Sequence, residues 1–379
     1  MGHHVTVLTG FPNHPTGVVP EEWRPRLRRL RYTEIIDGVR IVRTWLWPLP
    51  NRKAHERIRN YASFCISAAI TGSALAKPNV VIGTSPQLLC ALAGWWIAFW
   101  KRVPFVFEVR DLWPESLAAV GVGLEGTLLH RILGAIAGFL YRRADRIVVV
   151  SPAFKNHLIR HWKVPAAKIS TVENGVEVDL FRPDPEAIEL RKQLNLEDRF
   201  LICYIGTMGN AHGLETLLDA AEELQTTMPR AMFLLIGEGA EKDRMVELAA
   251  ARRLSNVQFL GQQPRERIPA YVSAADLCLV MLRKAELFNT VIPTKMLEYM
   301  ACARPVIIAV DGQARQIVEQ AASGVFVEPE NSKALVQAIL ELAADKLRRE
   351  QMGINGRKYI VENFSREKTA RDYIAVLQS

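Results

Sequence analysis

Long apolar runs, paired cysteines and the familiar phosphate-loop signatures are all missing from this sequence, and each absence removes a class of protein. The longest apolar stretch, residues 88–100, is 13 residues long, well short of the roughly 20 needed to span a bilayer as a helix. It reads as a buried helix. The five cysteines (Cys65, Cys90, Cys203, Cys278 and Cys302) are scattered, with no CxxC and no Cys/His cluster. A disulfide framework and a zinc site are therefore not expected, and a reducing cytosol is. Neither GxGxxG nor a Walker motif occurs, which removes hydride or phosphoryl transfer by those routes. The basic residues come without a nucleic-acid-binding motif, so no nucleic-acid partner is expected. Internal repeats and low-complexity segments are absent as well.

What is present is ordinary in bulk and uneven in charge. At 379 residues, 49% hydrophobic and 23% charged, the chain has room for two domains with sizeable cores. Residues 1–173 carry 23 Lys/Arg against 11 Asp/Glu, a net of +12, and the remainder carries a net of −4. Arg24, Arg26, Arg28, Arg29 and Arg31 cluster beside Trp23, with Trp45 and Trp47 following. Basic residues interleaved with Trp suit an anionic membrane surface. A solvated basic loop is the alternative.

Apolar, β-rich runs alternate with helical patterns throughout. Strands are predicted at 5–9, 39–44, 80–83, 105–109, 147–150 and 169–172, then at 200–205, 232–236, 257–260, 277–280, 306–309 and 324–327. Near-continuous apolar strands separated by helices imply parallel sheets covered on both faces. The fold class is α/β, with two Rossmann-like doubly wound domains. Asn174-Gly175 and the prolines of Arg182-Pro183-Asp184-Pro185 mark a linker within 173–190 and a ligand-binding cleft between domains. The predicted domains are 1–175 and 190–363, with a terminal helix in 364–379 that crosses back to the first. The strand pattern at 5–9 starts almost at once, and Gly2 looks like a glycine that ends a helix. The first strand and helix of that domain are thus expected to be missing, with Met1 an internal methionine of a longer protein.

One segment, 286–310, carries the most chemistry. Pro293 is suited to a first helical position, and Lys295 and Glu298 are three apart on one helix face. A helix N-terminus that exposes N–H groups at Thr294 and its neighbours favours an anion. Phosphate binding, a cation and a carboxylate able to hold a ribose diol together point to a nucleotide-diphosphate donor. Lys295 as a mere surface charge is the alternative, although a cation is poorly placed at a helix N-terminus unless an anion is there. Between a strand and a helix, 206–214 places Gly206, Gly209 and Gly213 where the backbone can approach a phosphate, or where a plain turn is needed. Gly237-Glu238-Gly239 repeats the arrangement after the next strand.

The segment 206–214, Gly237-Glu238-Gly239, NVQFLG at 256–261, Ala274-Ala275-Asp276 and 298–306 occur here in the order found in glycosyltransferase family 4, which the chain resembles. Thr9-Gly10-Phe11-Pro12-Asn13-His14-Pro15-Thr16-Gly17 and Glu108-Val109-Arg110-Asp111-Leu112-Trp113-Pro114-Glu115-Ser116 are similar to the fucosamine-transferase type that builds bacterial O-antigen and capsule. The resemblance implies the GT-B fold and a metal-independent, cofactor-free retaining transferase, for which no metal site is expected. It implies that Glu298 holds the donor ribose, that amides near 292–295 cradle the diphosphate, and that Gln262 lies by the nucleobase. Gly206, His212, Gly213 and Gly237 would complete the donor side. Asp111, with Arg110 where many members carry histidine, would stand beside the reacting sugar, and His14 and Glu115 on the acceptor side. His14 as a solvated turn residue and Asp111 as a turn cap remain open.

Several positions depart from the family pattern. Thr290 stands where the first glutamate of the paired motif would be, Thr207 and His212 replace an Arg and a Lys, and Ala303 replaces a glycine. Lys295 then bears more of the phosphate charge. The expected partners are a nucleotide-sugar donor, most simply UDP-linked, a polyprenyl-diphosphate-linked saccharide acceptor, and the inner membrane surface met through the basic half. A GT-B epimerase using Asp111 and Glu115, or a non-catalytic GT-B protein, are the alternatives.

Overall fold

Runs of β-branched and aromatic residues become parallel strands in the computed structural model of the chain, which describes residues 2–13, 17–50, 54–115 and 127–378. It divides into two units, Met1–Thr171 and Val172–Ser379. Each is a Rossmann-like α/β domain.

The first unit contains β1 (Thr6–Gly10), β2 (Arg31–Ile36), β3 (Val39–Thr44), β4 (Val81–Thr84), β5 (Phe105–Val109), β6 (Arg146–Val149) and β7 (Ile169–Thr171). They make two sheets, ordered β1-β3-β2 and β4-β5-β6-β7. All pairs are parallel except β2 with β3. β2 corrects the expectation of a basic loop around Arg31. Asp37 and Gly38 both have positive φ (50° and 78°), the geometry of a tight hairpin turn that matches strand twist. Across this hairpin Arg43 Nε donates to Glu34 Oε1 at 2.6 Å. The Trp23 ring is flanked by the Arg26 and Arg43 guanidinium carbons, each 4.7 Å from its centroid. Trp23 and two of its cations are thus spent on internal packing.

Among the helices that cover this unit are α1 (Ala54–Ala74), α2 (Leu88–Lys101) and α3 (Leu128–Arg143). α1 packs along α2, and α2 along α3. Gly94 of α2 lies so close to β4 that a Cβ there would stand 3.2 Å from the Gly83 Cα. The buried-helix reading of 88–100 holds for one face only. Leu88, Ala91, Ile97 and Ala98 are buried, whereas Trp96, Phe99 and Trp100 are exposed.

The two sheets leave β1 and β4 as unpaired edges among the described residues. Val7 of β1 and Ile82 of β4 are 39% and 44% exposed there.

The second unit is a single parallel sheet of order β10-β9-β8-β11-β12-β13. Its strands are β8 (Phe200–Ile205), β9 (Ala231–Ile236), β10 (Val257–Leu260), β11 (Leu277–Met281), β12 (Val306–Ala309) and β13 (Gly324–Phe326). Every residue of β8 is buried, because alternate side chains feed two apolar cores on opposite faces. Its helices include α4 (Thr294–Ala301) and the terminal α5 (Arg366–Gln378). Residues 174–176 run against the start of α5. Val176 N–H donates to Phe364 O, and Arg366 N–H donates to Val176 O, both at 2.8 Å. A Cβ at Gly175 would stand 2.8 Å from the Arg366 Cα, so the approach requires glycine.

Candidate functional site

The carboxyl ends of parallel strands are where open α/β sheets place their ligands. β8 ends there at Ile205, Gly206 follows, and α4 begins beside it. Pro293 is the residue just before α4, with extended backbone, rather than its first helical residue. α4 is anchored from below by its apolar face, Met296, Leu297 and Met300. Tyr299 locks it to the sheet, donating to Ile205 O and accepting Ile205 N–H, both at 2.8 Å.

That anchoring fixes Lys295 across the glycine turn. A Cβ at Gly206, whose φ is 146°, would stand 2.7 Å from Lys295 Nζ. A Cβ there would push the amine aside. Nζ donates to Tyr204 Oη at 2.9 Å and sits 4.1 Å from the ring centroid. Tyr204 Oη in turn donates to Thr207 O at 2.7 Å. Burial pulls the Lys295 amine down to about 7, opposed only by the Glu298 carboxylate. Without an anion its charged form is disfavoured by that burial.

Glu298, one helical turn on, is also held toward its neutral form. Burial raises its pKa, and the Arg265 and Lys295 charges only partly offset that. Arg265 lies 3.5 Å from Glu298 Oε1 and 3.5 Å from Glu177 Oε2, with its guanidinium over the Phe181 ring at 5.0 Å. The helix face that carries Lys295 and Glu298 therefore holds a cation and a carboxylate, both with their charges poorly solvated.

His212 closes the other side of the glycine loop. Its Nδ1 is 3.2 Å from Gly209 O, and Gly213 turns the chain at φ 59° into the helix Glu215–Thr227. Burial, then the Lys295 charge, lowers its pKa to about 4. Without an anion beside it, burial therefore holds the imidazole toward its neutral form. The loop Gly237-Glu238-Gly239 nests against it, with Met208 N–H donating to Glu238 O at 2.9 Å. Gln262 is exposed just after β10, and Thr294 is exposed at the first position of α4.

The acceptor-side candidates form a separate cluster in the first unit. Arg110 and Asp111 follow β5, and their N–H groups donate to Ser85 Oγ at 2.9 and 3.2 Å. Asp111 Oδ2 accepts from the Trp113 indole at 3.2 Å, so its turn-forming role is present. Glu115 Oε1 accepts from the Trp162 indole at 2.9 Å and faces His157 Nε2 at 3.3 Å. Burial raises the Glu115 pKa, but these bonds outweigh it and the carboxylate stays ionised below its usual range. His14 lies outside the described residues. Among the described residues no three His, Cys, Asp or Glu side chains are placed to hold a metal ion.

Sequence reasoning brought Gly206, His212, Gly213, Lys295 and Glu298 to one place, and missed Tyr204 and Arg265. Tyr204 had a signal, being the one hydroxyl in the apolar strand FLICYI. Arg265 had none, because a loop arginine carries no spacing rule.

Comparison with known proteins accords with this geometry. The "Glycosyl transferase 4-like domain" family matches residues 1–175, and the "Glycosyl transferases group 1" family matches 186–359. The chain is 26% identical to the putative colanic acid biosynthesis glycosyl transferase WcaI of Escherichia coli K12, over 98% of this chain and 91% of that one. It is 25% identical to the alpha-D-kanosaminyltransferase of Streptomyces kanamyceticus, over 82% and 75% respectively. Among solved structures, sucrose-phosphate synthase from Thermosynechococcus elongatus superposes with a TM-score of 0.78 at 22% identity, covering 100% of this chain and 89% of that one. Anabaena HepE in complex with UDP-glucose superposes at 0.74 and 18% identity, covering 99% and 100%. These likenesses show the GT-B fold. With both domain families matched in order along nearly its whole length, the chain belongs to the family 4 glycosyltransferases.

Proposed function

We propose that this chain is a retaining transferase that takes a sugar from a UDP-linked donor, such as an N-acetylated deoxy sugar. The acceptor would be a polyprenyl-diphosphate-linked saccharide at the inner face of the cytoplasmic membrane, in O-antigen, capsule or related envelope synthesis. The observation that carries the donor half is the buried Lys295 amine over Tyr204, one turn from Glu298 at the start of α4. A diphosphate beside Nζ would restore its full charge, and the amides of 292–295 would add their dipoles. As the sugar–phosphate bond breaks, negative charge grows on the leaving diphosphate, where this preorganised cation stabilises it. Glu298 would accept the ribose hydroxyls while Arg265 balances its charge. Gln262 would face the nucleobase.

Retention needs no protein nucleophile if the acceptor hydroxyl attacks from the leaving-group side and passes its proton to the departing phosphate. No metal is required in this scheme, because Lys295 and the helix start take the charge. Asp111 and Arg110 would orient the acceptor or steady the cation-like sugar, with Glu115 and His14 further along the acceptor side. WcaI, named for colanic acid biosynthesis, supports an envelope-polysaccharide setting. Calorimetric titration of UDP tests the donor assignment. Glu298→Ala should weaken binding by about tenfold or more, the range of a lost charge-assisted hydrogen bond. UDP bound equally well by that variant would sink it.

A further inference from the structure

We infer that the outer face of the α1–α2–α3 layer docks on an anionic lipid bilayer, an inference that rests on the lipid-linked acceptor proposed above and gives it a surface. Each of the three helices turns an apolar stripe to solvent at helical spacing. On α1 it is Ile66 and Ile70, four apart and 63% and 67% exposed. On α2 it is Trp96, Phe99 and Trp100, the last two 64% and 63% exposed. Leu128 and Ile132 make the stripe on α3.

The layer is held rigidly. Lys101 Nζ donates to Ser73 O at 2.9 Å and Leu75 O at 2.6 Å, tying the end of α2 to the end of α1. Trp95 of α2 meets Phe139 of α3 edge-on at 4.7 Å. The Trp96 and Trp100 rings stack at 6.3 Å and 13°, so the exposed aromatics form one plate. Apolar surface of this extent is rare on a soluble monomer without a partner.

Charge chooses the occupant. α2 and α3 contain no Asp or Glu, and α1 has only Glu56. Arg59, Arg102, Arg131, Arg142 and Arg143 are all exposed on or beside these helices. Trp with Arg and Lys around an apolar plate is the composition of a bilayer interface. A second copy would bring the same cations face to face, which like charges oppose. No helix among the described residues is long and apolar enough to cross a membrane, so the contact is lateral. The surface differs from the one expected around Trp23, whose ring is already covered by Arg26 and Arg43.

Flotation of the full chain with phosphatidylglycerol vesicles and with phosphatidylcholine vesicles tests this. Binding to phosphatidylglycerol should be tight and to phosphatidylcholine about tenfold weaker or more. The combined variant Trp96→Ser, Phe99→Ser, Trp100→Ser should lose on the order of 100-fold on phosphatidylglycerol. Arg131→Gln with Arg142→Gln and Arg143→Gln should lose about tenfold or more there and little on phosphatidylcholine. Both variants should keep the wild-type melting temperature and UDP affinity. The inference is overturned if the wild type ignores phosphatidylglycerol or if the aromatic variant floats as well as the wild type. It is also overturned if the aromatic changes dissolve a homodimer that does not float. A chain that binds UDP but no vesicle loses only this surface; one that floats but ignores UDP loses only the donor site.

Discussion

The two domains share an architecture and differ in how completely they are sealed. β8, at the middle of the second sheet, is buried at every position, while β1 in the first unit is half-exposed along its length. The first unit also carries the positive charge and the exposed aromatics, whereas the second is net negative and sets cations such as Arg191, Arg252 and Arg283 against carboxylates. Chemistry that needs a fixed, poorly solvated amine belongs on a sealed sheet, because Lys295 is displaced from its usual pKa only by rigid burial. A surface that meets a broad partner needs no such sealing.

Large-to-small changes should expose this contrast first. Leu234→Ala in the closed sheet is fully buried in the wild type and should cost about 2–5 kcal/mol in denaturant unfolding. Val7→Ala on the open edge should cost less than about 1 kcal/mol. Equal costs would erase the distinction.

Acid should act through the second unit. The folded pKa of His212, about 4, lies below its ordinary value of 6.5, so the unfolded chain binds the extra proton between them. Stability from this residue is complete above 6.5 and falls as pH drops toward 4, by on the order of 2 kcal/mol. His212→Asn should remove that part of the acid loss, measured as the difference between the two unfolding curves. Lys295 works with the same sign at higher pH. Its folded value of about 7 lies below 10.5, so its burial penalty is full below 7 and relieved as pH rises through that window. Lys295→Met should therefore stabilise the ligand-free protein at pH 6 by about 1–3 kcal/mol and leave it little changed near pH 10.

A more local effect sharpens the first unit. Ser85 is buried and its hydroxyl accepts two N–H groups from the Arg110–Asp111 turn. Ser85→Ala should cost about 1–2 kcal/mol and impair transfer while sparing UDP affinity.

Much of this was legible in the residues. The apolar strands declared themselves because doubly buried strands must be apolar on both sides, and each came within a residue of its expected end. β2 did not, because an edge strand of the type RYTEII lacks that pressure, although its Asp37-Gly38 turn was a usable sign. Residues 88–100 read as buried because an unbroken apolar run hides which flank has a neighbour; only packing shows Trp96 and Trp100 outside. Lys295 and Glu298 were found through their helical spacing. What spacing could not show is that Tyr204 carries the amine, that Arg265 balances the carboxylate, or that burial lowers the His212 pKa, since each depends on burial and on contacts far apart in sequence.

The most direct test is proton-linked calorimetry of UDP binding to the full chain at pH 8, in buffers of different ionisation enthalpy. A diphosphate that raises the Lys295 pKa from about 7 must draw a proton onto the complex, so UDP affinity should fall by up to about tenfold per unit of pH above 7. Uptake should approach one proton in the wild type and vanish in Lys295→Met, whose affinity should be about 10–100-fold lower. Unchanged affinity and unchanged uptake in that variant would contradict the placement of the donor diphosphate at Lys295.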